Sequence, residues 1–231
     1  MKIFSISDLH LSTVVDKPMN IFGENWDNYF EKIKKSWSEK VSEDDIVLIC
    51  GDISWGMHLN EAIPDLEEIS KLKGTKIMIK GNHDYWWQSI SAIRKILPPK
   101  MYCIQNDAIK IGDYIFCGSR GWAVPEEDFK TEQDKKIFDR EMIRLELALK
   151  SAKILQKNDE KIVLMIHYPP FNSMCKNGFT ELFEKYGVKA CIYGHIHGEK
   201  SRSIKLLEKN DIKYYLTSCD QVNNEVVEIE V

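Results

Sequence analysis

Five short polar clusters, each placed directly after an apolar run, constrain this chain more than any other feature of its sequence. The clusters are built from Asp, His, Asn and Gly: Asp8-Leu9-His10, Gly51-Asp52, Gly81-Asn82-His83-Asp84, His167 and Gly194-His195-Ile196-His197. The apolar runs before them cover residues 2–7, 46–50, 76–80, 161–166 and 188–193, and they predict buried strands. Ligands of open α/β sheets bind beyond the carboxyl ends of the strands. The sequence therefore predicts one polar site at one edge of a sheet.

The order of the remaining elements predicts the architecture. Helical patterns over residues 25–41, 60–72 and 86–97 separate the first strands, which indicates βαβ units with largely parallel pairing. Apolar runs at 108–111 and 114–117 flank Gly112-Asp113 and predict a hairpin. Helices at 132–157 and 178–186 follow, with short β-like runs at 102–104, 203–207, 213–217 and 225–231. This α/β first half with a β-rich middle and tail predicts two sheets packed face to face with outer helices.

Length and composition narrow the functional classes. A chain of 231 residues with 43% hydrophobic and 29% charged residues predicts one globular domain over residues 1–231. The net charge of −4 supplies no overall basic field, which argues against a nucleic-acid partner, although a local basic groove is compatible with it. Six cysteines without C-x-x-C spacing indicate reduced thiols and a cytoplasmic protein. We expect no signal peptide and no membrane association, since no apolar stretch approaches the length of a membrane span.

Taken singly, most clusters have an ordinary structural interpretation. Asp8 could be a turn or cap residue, Gly51-Asp52 is a common turn after a strand, and His167 could be a hydrogen-bonded core histidine. Alternate histidines at a strand end, as at His195 and His197, are uncommon without a metal. Together the clusters predict a metal site. Their carboxylate, amide and imidazole groups, without a thiolate, suit Mn, Fe or Zn.

In this order the clusters resemble the signature of the calcineurin-like metallophosphoesterases, which reads D-x-H, G-D, G-N-H-[DE], H and G-H-x-H. The resemblance spans residues 8–197 and implies a four-layer α/β/β/α sandwich with two mixed sheets and two metal ions. It implies that one ion is held by Asp8, His10 and His197. The other ion would be held by Asn82, His167 and His195, and Asp52 would be the bridging carboxylate. It also implies two catalytic residues, the non-ligand His83 and the bridging Asp52.

The implied reaction is hydrolysis of a small phosphoester, in our expectation a phosphodiester, by a metal-bridging hydroxide, with His83 assisting the leaving group. Ser/Thr protein phosphatases of the family carry Asp-Arg-Gly after the second cluster, whereas this chain has Ile53-Ser54-Trp55. Members that cleave nucleotide-linked lipid pyrophosphates usually replace the histidine of the third cluster, which is intact here. The alternatives are a phosphomonoesterase, a Ser/Thr protein phosphatase or a non-catalytic scaffold of the same fold.

Two further features have two interpretations each. Aromatic residues follow three clusters, at Trp55, at Tyr85-Trp86-Trp87 and at Phe171, and these rings either stack on a substrate or belong to the core. Arg120 follows another strand-like run, where its guanidinium either contacts phosphate or is a solvated surface group.

Overall fold

The computed structural model describes residues 1–125, 129–171, 177–198 and 203–231. Within these residues the strands are β1 (Ile3–Ser5), β2 (Ile46–Ile49), β3 (Thr75–Met78), β4 (Met101–Cys103), β5 (Asp107–Ile111), β6 (Tyr114–Ser119), β7 (Lys161–Ile166), β8 (Val188–Tyr193), β9 (Leu206–Lys209), β10 (Ile212–Leu216) and β11 (Val227–Glu228). The α-helices are α1 (Tyr29–Lys40), α2 (Leu59–Ser70), α3 (Ile90–Ile96), α4 (Glu132–Leu155) and α5 (Gly178–Tyr186).

The strands form two mixed sheets. The first has the order β11-β1-β2-β3-β4, in which β1 to β4 are parallel and β11 is antiparallel to β1. The second has the order β5-β6-β7-β8-β10-β9, with β6, β7, β8 and β10 parallel and an antiparallel hairpin at each edge. Ile111 pairs with Tyr114, so the predicted hairpin at Gly112-Asp113 is confirmed.

Three apolar cores separate four layers. Side chains from both sheets share the central core, where Leu48 of β2 and Met165 of β7 are completely buried. Val47 of β2 points the other way, into the core beneath α1, α2 and α3, while Leu164 of β7 packs beneath α4 and α5. Central strands that are covered on both faces are apolar throughout, which explains the continuous apolar runs. The predicted α/β/β/α sandwich is confirmed.

Two predicted helices begin later than their sequence patterns indicate. Residues 24–26 form a 3-10 turn, and α1 begins at Tyr29 because Asn28 before it has left-handed backbone angles (φ 50°). Likewise α3 begins at Ile90, where the Ser89 hydroxyl accepts a hydrogen bond from the backbone N–H of Ala92. The predicted start at residue 86 is therefore wrong.

The described chain has two further general properties. None of its helices combines the length and the apolar character that crossing a membrane requires. Five of the cysteines are buried free thiols (Cys50, Cys103, Cys117, Cys191 and Cys219), whereas Cys175 lies outside the described residues.

Helix α4 offers a matched test of the outer core. Leu145 is fully buried beneath the helix, whereas Leu147 is 51% exposed. We expect Leu145→Ala to lower the free energy of unfolding by about 2–5 kcal/mol, because it removes buried methyl groups and leaves a cavity. Leu147→Ala should change it by less than about 0.5 kcal/mol. Urea unfolding of both variants measures the difference, and equal losses would contradict the assigned layer.

Candidate metal centre

The first three clusters meet because their strands are parallel neighbours. Asp8 and His10 follow β1, and Asp52 follows β2. Backbone hydrogen bonds fix the loops to each other, since the N–H of Asp8 donates to the carbonyl of Gly51 (3.0 Å) and that of His10 to the carbonyl of Asp52 (2.9 Å). In the third loop, the backbone N–H of His83 donates to Asp52 Oδ1 (2.8 Å).

The second sheet supplies the other clusters. His167 follows β7, and His195 and His197 follow β8. Asp8 connects the two sheets, because both of its carboxylate oxygens accept from the backbone N–H of His195 (3.1 and 3.0 Å). The polar site therefore lies at the common edge of two sheets. The prediction of a site at the edge of one sheet was too simple, because the apolar runs do not indicate which strands share a sheet.

Four of the predicted ligands form a first group. One potential ligand atom from each lies within 4.8 Å of those of the others, and the residues are Asp8, His10, Asp52 and His197. Nε2 of His197 lies 3.2 Å from Asp8 Oδ1, and Nε2 of His10 lies 3.7 Å from Asp52 Oδ2. All but the partly buried His197 are almost fully shielded from solvent.

The remaining predicted ligands form a second group around Asn82. Its Oδ1 lies 2.6 Å from Nε2 of His167 and 2.8 Å from Nδ1 of His195. Nδ1 of His167 lies 2.8 Å from the carbonyl of Cys50, which assigns the ring proton to Nδ1 and leaves the Nε2 lone pair facing the site. Asp52 Oδ2 is 3.5 Å from that Nε2, so Asp52 lies between the two groups.

Close approach explains two glycines of the clusters. A Cβ atom on Gly81 would collide with the carboxylate of Asp52, and one on Gly194 would collide with that of Asp8. Gly81 itself has no positive φ angle, whereas four predicted ligands do: Asp8 (59°), His10 (45°), Asp52 (53°) and His195 (71°). Non-glycine residues in this conformation store strain, and such strain is concentrated at functional sites.

A nearby positive charge would stabilise the buried carboxylates of Asp8 and Asp52. Burial, with the negative charges of Asp8 and Asp84 nearby, raises the pKa of Asp52 to about 9. Burial also opposes ionisation of Asp8, but the hydrogen bond and charge of His197 hold its pKa well below the usual range. A cation beside both carboxylates would remove the repulsion that raises the pKa of Asp52.

The histidines divide into two kinds. Burial lowers the pKa of His10 to about 3 and that of His195 to about 4, so both rings are neutral and keep a lone pair for a metal. Burial also lowers the pKa of His167. For His197 burial acts in the same direction, but hydrogen bonds to Asp220 and Asp8 outweigh it and raise the pKa to about 10.

This donor set fits metal ions. The described residues offer neutral imidazoles, an amide oxygen and carboxylates, which are ligands of Mn, Fe and Zn. Nδ1 of His10 is buried and has no hydrogen-bond partner in the described part of the structure, and an unpaired buried nitrogen is costly unless something binds it or its ring. The first group alone contains enough ligands for one ion.

The structure adds a role for Asp84, to which the sequence analysis gave no function. This fully buried carboxylate accepts from the backbone N–H groups of Gly81 (2.7 Å), Asp52 (2.9 Å) and Ile53 (2.8 Å) and from the Trp86 indole (3.0 Å). It therefore fixes the loop after β2 against the loop after β3. Its signal was its place in the third cluster, two positions after Asn82.

The structure also adds Asp220. Its Oδ1 lies 2.9 Å from Nδ1 of His197, and its Oδ2 accepts from the backbone N–H of Gly198 (2.8 Å). A carboxylate behind a histidine fixes the ring orientation and keeps the opposite nitrogen available for a metal. Asp220 comes after β10 but not directly after its apolar run, since Ser218 and Cys219 intervene, so the rule that selected the five clusters did not select this residue.

Aromatic rings border the site on one side. Trp55 stacks on His10 (ring centroids 4.7 Å apart) and lies 4.8 Å from His83, while the 55% exposed Tyr85 lies 6.2 Å from His83. Trp86 and Trp87 are only 1% and 5% exposed and pack in the core beneath the outer helices, so they cannot stack on a substrate.

The backbone of Arg120 is bonded to the site, whereas its side chain contacts other residues. Its backbone carbonyl accepts from the N–H of His167 (3.0 Å), whereas its guanidinium lies 3.7 Å from buried Glu141 and 5.0 Å from the Trp122 ring centre. Its guanidinium is thus neither fully solvated nor a member of either ligand group.

Asp84→Asn tests the loop assembly. An amide keeps the shape of the side chain but turns one acceptor into a donor facing backbone N–H groups. We expect a loss of about 2 kcal/mol or more in the free energy of unfolding, together with weaker metal binding. Urea unfolding and metal titration measure both effects, with Asp139→Asn on the exposed face of α4 as the control. Wild-type behaviour of Asp84→Asn would contradict the role given to this carboxylate.

Comparison with known proteins agrees with this site. A probable cyclic nucleotide phosphodiesterase from Coxiella burnetii is 25% identical over 227 aligned positions, which cover 89% of this chain and 79% of that protein. Among solved structures, a protein of unknown function from Aquifex aeolicus has a TM-score of 0.52 at 15% identity, covering 98% of this chain and 95% of its own. A Thermus thermophilus protein has a TM-score of 0.61 at 10% identity, covering 99% and 97%. These two structures support the fold alone.

The sequence model of the calcineurin-like phosphoesterases matches residues 1–199, which include all five clusters. The resemblance of the clusters is thereby confirmed over most of the chain. The chain belongs to the calcineurin-like phosphoesterase family and is a metal-dependent phosphoester hydrolase.

Proposed function

We propose that the protein hydrolyses a small phosphodiester with two metal ions held by the two ligand groups. The observation that carries this proposal is the position of Asp52 Oδ2, which lies 3.7 Å from Nε2 of His10 in the first group and 3.5 Å from Nε2 of His167 in the second. A carboxylate between two groups of neutral ligands is suited to bridge two cations.

The ligand assignment follows the two groups. Asp8, His10 and His197 would hold one ion, and Asn82, His167 and His195 the other, with Asp52 shared. When bound, two such ions stabilise negative charge on phosphoryl oxygens and make a water molecule acidic enough to supply the nucleophile. Mn, Fe and Zn are all compatible with these oxygen and nitrogen donors.

His83 is the proposed catalytic residue that binds no metal. Its backbone N–H donates a hydrogen bond to Asp52 Oδ1, which keeps the ring beside the predicted ligands. Its buried Nδ1 has no hydrogen-bond partner among the described residues, so the side chain is not committed to a structural contact. Burial lowers its pKa, and a neutral ring can still donate a hydrogen bond to an oxygen that gains charge as the ester bond breaks.

The preference for a diester rests on charge and aromatic surface. A diester carries less negative charge than a monoester, and residues 53–56 after the second cluster contain no arginine to compensate for the additional charge. The second ester group would lie against Trp55 and Tyr85, which flank His83. The description of the Coxiella burnetii relative as a probable phosphodiesterase supports the same substrate class.

Two further properties belong to the proposal. We take residues 1–231 to act as one domain, which is supported by the pairing of β11 near the end of the chain with β1 at its start. We take the compartment to be the reducing cytoplasm, which is supported by the buried free thiols.

Metal content and turnover separate the proposed roles. We expect two ions per wild-type chain and fewer in Asp52→Asn, because the shared charge is lost. His83→Ala should keep both ions and lower kcat by about 10²–10⁴-fold. Elemental analysis and hydrolysis of a chromogenic diester measure the two quantities on the same preparations. A metal lost from His83→Ala would instead make His83 a ligand.

Paired chromogenic substrates test the ester class. We expect kcat/KM for bis(nitrophenyl) phosphate to equal or exceed that for nitrophenyl phosphate. Trp55→Ala should reduce kcat/KM for the diester more than for the monoester, since only the diester has a second ester group to place on the ring. Exposed Tyr102 is a matched aromatic control outside the site, and Tyr102→Ala should alter neither value. A strong monoester preference would overturn the diester assignment while leaving the phosphoesterase activity intact.

A further inference from the structure

A small basic cavity lies beside the proposed metal centre. Its volume is about 200 Å³, and charged side chains from three parts of the chain line it: Lys80, Arg120, Arg140, Glu141 and Arg144. Lys80 directly precedes the third cluster, Arg120 follows β6, and the other three belong to α4. The cavity therefore connects the edge that carries the predicted ligands with the helix that covers the second sheet.

The charges of this cavity do not balance. Among the described residues, four cationic side chains line it, with one carboxylate among them. That carboxylate, on fully buried Glu141, already accepts from Arg144 (2.6 Å) and from the Ser119 hydroxyl (3.0 Å), with Arg120 at 3.7 Å. Glu141 can neutralise one of the four cations, so the walls retain an excess of about three positive charges.

Donor groups in the cavity are also unused. Within the described parts of the chain, Nε of Arg120 is buried without a hydrogen-bond partner, although a guanidinium has five N–H donors to satisfy. An anion in the cavity would accept hydrogen bonds from the unused N–H groups and reduce the repulsion between the four cations.

We infer that this cavity is a second anion site that binds a phosphoryl group. Guanidinium forks and an ammonium group match the oxygens of a phosphoryl group, which accept several charge-assisted hydrogen bonds at once. The volume of about 200 Å³ is below the 300–1,000 Å³ typical of sites for whole organic ligands, so it suits a single anionic group.

Two sources could supply this group. One is free inorganic phosphate, and the other is a second phosphate on the molecule whose ester bond is cleaved at the metal centre. The position of the cavity is compatible with both sources. Lys80 directly precedes the third cluster, and the Arg120 carbonyl accepts from the backbone N–H of His167. The second source rests on the proposed function, whereas anion binding itself does not.

Binding is tested without turnover. Calorimetric titration of the full chain, freed of metal by a chelator, with inorganic phosphate and with pyrophosphate should give saturable binding at one site. Lys80→Gln with Arg140→Gln should weaken that binding by about tenfold or more, because each change removes a charged donor. Lys136→Gln on the exposed part of α4 is the matched control and should bind like the wild type. Circular dichroism verifies that the variants are folded.

Each result of that titration decides the inference. Saturable binding that the double variant loses supports the cavity as an anion site. Absence of saturable binding in the wild type, or binding that the double variant keeps at full strength, overturns it. Neither result depends on hydrolysis, so failure of the anion site and failure of the proposed phosphodiesterase are distinguishable.

A substrate pair then identifies the source. Nitrophenyl diesters of a nucleoside, with and without an additional phosphate on the sugar, are compared on the metal-loaded enzyme. A lower KM for the phosphorylated diester, with an advantage that disappears in the double variant and persists in Lys136→Gln, assigns the site to the substrate. Equal KM values for the two diesters assign the site to free phosphate.

Discussion

The contact between the two sheets is the constraint on which the site depends. Side chains such as Leu48 and Met165 fill the central core and set how the sheet edges meet. The first sheet contributes Asp8 and Asp52, and the second contributes His167 and His197. Distances such as the 3.2 Å between Asp8 Oδ1 and His197 Nε2 therefore cross between sheets and follow from apolar packing. Since interiors are close-packed, a small change in that core would be transmitted to the ligands.

Charge at this edge is arranged in two layers. The inner layer places carboxylates where burial and mutual repulsion disfavour ionisation, which is why the pKa of Asp52 rises to about 9. An outer layer holds the inner one in position, with Asp84 on the backbone of two loops and Asp220 on the ring of His197. A bound cation would stabilise the carboxylates of the inner layer. The outer layer fixes the positions of the ligands that would bind the cation.

The sequence predicted most of the fold, and it predicted which side chains would converge. Strands covered on both faces need long apolar runs, and parallel strands deliver their following loops to one edge, so residues such as Asp52 and His167 could be placed. The metal-ligand roles of these residues stay predictions. The start of α3 was misplaced because Trp86 and Trp87 continue a helical apolar pattern, whereas their burial comes from tertiary packing of a turn.

The remaining features depend on contacts between distant segments. Asp220 lies 23 residues after His197 along the chain, and its role appears only when β10 lies beside β8. The unbalanced charge around Glu141 likewise requires α4 to pack on β6 and Lys80, which follows β3, to line the same cavity. Residue types alone indicated Arg120 as a candidate phosphate contact, but its neighbours Arg140 and Arg144 are spaced as ordinary surface positions of a helix.

The position of β10, Asp220 and β11 after all seven predicted ligands along the chain has a consequence for biosynthesis. Domains begin to fold from the amino terminus as the chain leaves the ribosome. All seven predicted ligands lie within the first 199 residues, but the carboxylate that orients His197 and the strand that covers the edge of β1 follow later. A nascent chain thus presents a full set of ligands before their geometry is complete. Selective loading with the native metal would accordingly wait until β10 and β11 have been synthesised and have packed.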